Sequence, residues 1–152
     1  MNQKYIQLFV RIAVATAFLS AVADRLGYWG PPGSPNASWG NWENFLAYSN
    51  KLNFFVSPLI GELLAVTATI LEVVFALLLV IGYKTRITAI LSGMLLILFA
   101  VAMTVAFGIK STFTYSVWIG AGACFLLSSI DKYDYSLDKY FKYKYLKNGK
   151  SN

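Results

Sequence analysis

The sequence predicts an all-α integral membrane protein: a four-helix bundle with an amphipathic interfacial helix in its first extracytoplasmic loop. Three observations lead there. Of 152 residues, 57% are hydrophobic and 13% charged, and the mean hydropathy is +0.56, a balance that belongs to membrane proteins. Leu59 to Ile81 is an almost unbroken apolar run, and about 20 such residues cross a bilayer. Three other apolar stretches are set apart by short, polar or turn-rich connections.

The first helix is expected at about 5–24. A basic Lys4, an apolar stretch and Ala21-Val22-Ala23 resemble a signal peptide, but Arg11 interrupts what should be an uncharged core, which favours a retained span. Ala13, Ala17, Ser20 and Asp24 fall on one face, where small residues admit a neighbouring helix. Residues 27–57 form the long connection. It opens on a Gly/Pro-rich turn, and its Asn36-Ala37-Ser38 sequon is read as a chance match. Asn41 is placed to cap an interfacial helix carrying Trp42, Phe45, Leu46 and Leu52 on one side.

The second span is expected at 58–82, capped by Ser57, with Pro58 in its first turn and Gly82 as its stop. Lys84 and Arg86 anchor that end in water. The third is expected at 87–108 and the fourth at 113–130, with Gly120, Gly122 and Cys124 as small packing residues. Together residues 1–131 form the membrane domain. Residues 132–152 form a basic, Tyr-rich tail suited to a membrane surface. It carries six lysines, namely Lys132, Lys139, Lys142, Lys144, Lys147 and Lys150. With four spans, these share one side with Lys4, Arg11, Lys84 and Arg86, whereas only Arg25, Lys51 and Lys110 lie on the other. The excess of basic residues places both termini in the cytoplasm, with the bacterial cytoplasmic membrane as the expected location.

Composition also excludes chemistry. There is no histidine and a single cysteine, Cys124. Bis-histidine haem, thiolate iron–sulfur and Cys/His zinc sites therefore lack ligands within the chain. No nucleophile–base pair or metal set stands out, so no catalytic residue is assigned. The net charge of +6 favours anionic lipid over nucleic acid, since no folded basic domain presents the lysines.

Two groups of residues are candidates for binding or buried polar roles. The first is Glu72, a carboxylate about 15 Å from the basic end of its helix. It reads either as a lock, paired with Arg11 or bonded to Thr69, or as a functional carboxylate. Arg11, about 9 Å inside the first helix, either snorkels to the interface or reaches Glu72. The second group, Asp24, Arg25, Glu62 and Lys110, maps to the outer helix ends. It is expected to anchor them or to line a polar mouth under Tyr28, Trp29 and Trp42, suited to a quinone ring or a small anion. Arg86 and Asp138 are expected to be solvated anchors or a weak surface pair.

Arg11, Glu72 followed by its apolar run into Gly82-Tyr83-Lys84-Thr85-Arg86, and Tyr135-Ser136-Leu137-Asp138 after the fourth span together resemble the DoxX family of small four-helix membrane proteins. The resemblance runs from about Val10 to Asp138. The Trp-rich first loop departs from it, as does Lys132-Tyr133-Asp134 where a glycine-containing approach is expected. Family members are similar to the small membrane subunit of thiosulfate:quinone oxidoreductase, and some are linked to assemblies handling oxidative stress. The resemblance therefore implies a non-catalytic membrane subunit of a quinone-linked redox or oxidative-stress assembly. Quinone would be the carrier and a soluble or membrane oxidoreductase subunit the partner. Alternatives are a lipid or small-molecule carrier and a scaffold or assembly factor. Membrane lipids are expected contacts in every case, and an oligomer is compatible with all.

Overall fold

The computed structural model describes residues 2–148, and all regular elements in it are helical. Lys150 of the expected tail lies outside the described residues. The elements are α1 (Gln3–Arg25), α2 (Trp42–Leu52), α3 (Pro58–Ile81), α4 (Thr85–Phe107), α5 (Ile109–Thr114), α6 (Val117–Ser128) and α7 (Leu137–Asn148). Helices α1, α3 and α4 are long and apolar enough to cross a membrane. They run antiparallel in sequence order. This leaves α2 at one end, the loop end, and the α3–α4 turn and α7 at the other, the terminal end.

The local signals explain most boundaries. Asn2 caps α1 by accepting from the Lys4 amide at 3.1 Å, and Asn41 caps α2 by accepting from the Asn44 amide at 2.8 Å. Pro58 occupies the first turn of α3, but Ser57 makes no side-chain cap bond; its carbonyl accepts from the Gly61 amide instead. Gly82 ends α3 in the left-handed region, at φ 67 and ψ 48.

The expected single helix at 113–130 is in fact two pieces. After α4, Gly108 turns the chain and α5 folds back, its Ser111 hydroxyl donating to the Gly108 carbonyl at 2.8 Å. Ser116, at φ 53, separates α5 from α6. A residue with a Cβ in that region breaks a helix and is rarely adopted. The break is held by the Trp118 indole, which donates to the buried Thr112 hydroxyl at 2.8 Å. At 1.5 Å per residue α6 alone is about 18 Å long, short of the roughly 30 Å apolar layer, so a fourth crossing would need α5 as well.

The core joins α1, α3, α4 and α6 through Phe18, Phe75, Leu79, Ala89, Leu95, Cys124 and Leu127. Because lipid tails are as apolar as leucine, such contacts hold by close packing rather than by escape from water. Packing is most extensive between α4 and α6, where the Phe125 ring lies over Gly93 and Leu96 approaches Gly120. Gly122 has open space beside it, so it does not serve the contact expected of it. On α1, Ala13 and Ala17 face outward. The buried face carries Gln7, Arg11, Val14, Ala15, Phe18, Val22, Asp24 and Arg25 instead, because the polar groups must turn inward, and Ala15 is the small residue that turns with them.

Gly82 sits where the tail crosses the bundle. Its carbonyl accepts from the Asp138 amide at 3.0 Å, and a Cβ there would run into the Arg11 guanidinium and Ser136. Gly82→Ala is therefore expected to lose about 1–2 kcal/mol from the left-handed backbone alone, and more from the collision. The measurement is the melting temperature in detergent, with Gly122→Ala, which faces open space, expected to stay near wild type.

Candidate functional site

Helical side chains lean toward the N-terminus of their own helix. In α1 that direction is the terminal end, and in α3 it is the loop end. Arg11 therefore leans away from the middle of the bundle, while Arg25 at the end of α1 leans back into it. Glu72 of α3 leans toward the loop end and so toward Arg25. The geometry follows. Arg25 and Glu72 form a buried, two-pronged ion pair: Nη1 faces Oε2, and Nη2 donates to Oε1 at 3.0 Å. Arg25 Nη1 also donates to the Thr69 hydroxyl at 2.8 Å, and Thr69 donates in turn to the Ala65 carbonyl. The expected pairing of Glu72 with Arg11 is thus corrected to Arg25, and Thr69 serves the arginine rather than the carboxylate.

Aromatic rings of the loop end close over this pair. The Arg25 guanidinium carbon is 4.1 Å from the centroid of Phe45 and 5.5 Å from that of Trp39, within the range where a ring face attracts a cation. Trp39 and Trp42 both pack against Phe45. The fork geometry and delocalised charge of arginine suit this sandwich, where a lysine would offer a point charge. Arg25 Nε is buried without a partner.

Asp24, beside Arg25, turns to the connection. Its carboxylate accepts from the amides of Ser38, Trp39 and Gly40 at 2.9, 3.2 and 3.2 Å. Three converging amides satisfy a buried carboxylate without a cation. Asp24 thereby fixes the segment that brings Trp39 over Arg25. Trp29 anchors the same connection by donating to the Ser20 carbonyl at 3.0 Å. Glu62 and Lys110 are exposed, so the polar mouth expected from four outer groups resolves into one buried centre, in which Asp24 accepts and Arg25 donates, with Glu62 and Lys110 outside it.

Arg11 builds a second buried centre at the terminal end. It is fully buried and donates to carbonyls on three segments. Nε reaches Leu79 at 2.8 Å and Nη2 reaches Val80 at 2.9 Å. Nη1 reaches Asp134 and Tyr135 at 3.1 and 3.2 Å, and Gln7 at 3.3 Å. Neither snorkelling nor a carboxylate partner is needed. The carbonyls of Leu79 and Val80 are among the last of α3, which have no partner within the helix, and the negative end of the helix dipole adds attraction. Gln7 donates to the Asp134 carbonyl at 2.9 Å from the same side.

Asp138 completes this end. It accepts from the amides of Lys84 and Thr85 at 2.7 and 2.8 Å, so it caps α4 from 53 residues away rather than pairing with Arg86. A carboxylate at a helix N-terminus meets both free amides and the positive end of the dipole. Cys124 is buried within the core, and no group of three metal-ligating side chains is assembled among the described residues.

A double-mutant cycle reads the central pair. Glu72→Gln and Arg25→Met should each lower the melting temperature in detergent, because either leaves a buried group unmatched. The double variant should recover part of the loss, with a coupling of about 0.5–3 kcal/mol. Glu72→Gln combined with Arg11→Met should be additive; coupling there and none with Arg25 would reverse the assignment.

No curated protein and no solved structure matches the chain. The DoxX family model matches residues 6–108, which takes in α1 from Ile6 onward, the aromatic-covered Arg25–Glu72 pair and the whole of α4. With more than half of its length matched, the chain belongs to the DoxX family.

Proposed function

We propose that the protein is a non-catalytic membrane subunit of a quinone-linked redox assembly, held in the bacterial cytoplasmic membrane with both termini in the cytoplasm. The observation that carries this reading is the engagement of its buried charges. Both oxygens of Glu72 meet Arg25, and every nitrogen of Arg11 is spent on oxygens of the chain itself. Groups bound this way hold helices in register; they are not free to take up protons or bind a substrate. Redox chemistry would then sit on a partner subunit and a quinone. The aromatic loop end, with Tyr28 and Trp29 exposed, offers ring faces at the height where a quinone head meets the bilayer surface.

Gentle solubilisation, affinity capture and mass spectrometry of proteins and extracted lipids test the proposal. An oxidoreductase subunit together with quinone is the expected catch. Recovery of phospholipid without either would favour the carrier reading, and of a soluble protein without redox partner or quinone the scaffold reading.

Topology is tested separately. A cysteine at Ser38 should react with a non-permeant reagent in intact cells, once Cys124 is replaced by alanine, and one at Ser151 should not. Labelling of Ser151→Cys would reverse the orientation.

A further inference from the structure

At the terminal end, outside the two buried centres, lysines and tyrosines come together in a way that neither the fold nor the proposed function requires. An open cleft of about 370 Å³ is lined by Tyr135, Ser136, Lys139, Tyr140 and Tyr143. Its Tyr135 side is held in place, because Arg11 donates to the Tyr135 carbonyl and Arg11 and Gln7 both donate to that of Asp134 just before it. Lys4 stands at its edge, with Nζ 4.9 Å from the centroid of the Tyr135 ring and 5.3 Å from that of Tyr5. Tyr5 and, one turn further along α1, Phe9 are exposed on the outer wall of the bundle. Lys4 thus bridges the cleft, at Tyr135, to two exposed aromatic side chains on the outside of α1, Tyr5 beside it and Phe9 beyond.

The charges converge on one spot. The Asp134 carboxyl is held below the usual carboxylate range, first by its hydrogen bond from Lys139 and then by the charges of Lys139, Lys4 and Lys132. Asp134 contacts Lys139 directly, but an exposed pair of this kind is worth only about 0–1 kcal/mol. At Asp134 itself one carboxylate meets three ammonium groups, and the neighbouring Asp138 is turned to the Lys84 and Thr85 amides. The occupant that fits both halves is an anionic phospholipid: a phosphate among the lysines, phenol rings around the glycerol region, and an acyl chain along Tyr5 and Phe9. A soluble acidic protein would use the lysines and leave Tyr5 and Phe9 unused.

From this juxtaposition we infer that the C-terminal strap (residues 131–136), the first turns of α7 and the start of α1 form a binding site for one anionic phospholipid, with Lys4 and Lys139 on its phosphate. The inference stands apart from the redox reading, since it requires neither quinone nor partner.

The test uses the full chain, delipidated in a neutral detergent, and native mass spectrometry with added phosphatidylglycerol, phosphatidylcholine or glycerol phosphate. Phosphatidylglycerol should bind as a single saturable adduct. Phosphatidylcholine should bind more weakly, and glycerol phosphate, which lacks the chains, should not compete at equal concentration. Lys4→Gln and Lys139→Gln should each weaken binding about fivefold, and together about thirtyfold. Asp134→Asn, which removes the opposing charge and keeps every lysine, should strengthen it. Lys51→Gln at the far end is the control and should change nothing. Melting temperatures without lipid should match wild type in all five variants, which separates lost binding from lost folding. Equal affinity for the two lipids, equal binding of glycerol phosphate, or weaker binding by Asp134→Asn would each overturn the site.

Discussion

Two arginines on one helix set the register of this bundle. Arg11 and Arg25 are separated by about 21 Å along α1 at 1.5 Å per residue, and each finds its partners on α3. Arg11 takes the carbonyls of Leu79 and Val80, and Arg25 takes Glu72 and Thr69. In an apolar medium neither guanidinium has water to fall back on, so a slip of α1 against α3 would strand both charges. Apolar packing alone would tolerate such a slip far better, since leucine against leucine resembles leucine against lipid. The arginines therefore choose which face of α1 turns inward, and the small residues Ala13 and Ala17 are left outside.

From this constraint the ends of the molecule follow. At the loop end, the ion pair needs cover, and Asp24 holds the connection that brings Trp39 into place while α2 supplies Phe45. A buried ion pair is poor value as a source of stability, because desolvation offsets most of the attraction. Its better-supported use is to make one arrangement of helices much preferable to its neighbours, and the additional Thr69 bond and ring contacts sharpen that preference. At the terminal end, the same logic works without a carboxylate: unsatisfied α3 carbonyls and the crossing tail share one guanidinium, while Asp138 tends the opposite need at the start of α4.

Helix positions were legible in the residues because bilayer thickness dictates run length, and Asn41, Pro58 and Gly82 punctuate those runs by local chemistry. The division of the fourth span was not. The left-handed Ser116 and the Trp118–Thr112 bond that steadies it reflect packing on α4, and no glycine or proline announces the break. Glu72 and Arg11 stand out in the residues as charges inside spans and Asp24 as a polar group at an outer helix end, but their partners do not follow from depth along a helix alone, since side chains lean toward the N-terminus of their own helix. That direction was available: it sends Glu72 toward the loop end and Arg11 away from it. The three-amide grip of Asp24 could not have been read in advance, since it depends on how a Gly/Pro-rich connection folds back. Ser57, a favourable cap by type, lends its carbonyl instead.

The bonds from Arg11 to the carbonyls of Asp134 and Tyr135 span 123 and 124 residues of sequence. A ribosome releases α1 into the membrane long before it makes the strap. Through most of synthesis, then, the deepest cation of the first helix has only Gln7 and, later, the end of α3 for company. Its final two acceptors arrive after every membrane-crossing segment has been made. Closure of this end of the bundle therefore waits for the segment that follows the last span, and a protein truncated before Asp134 would leave Arg11 held only by Leu79, Val80 and Gln7.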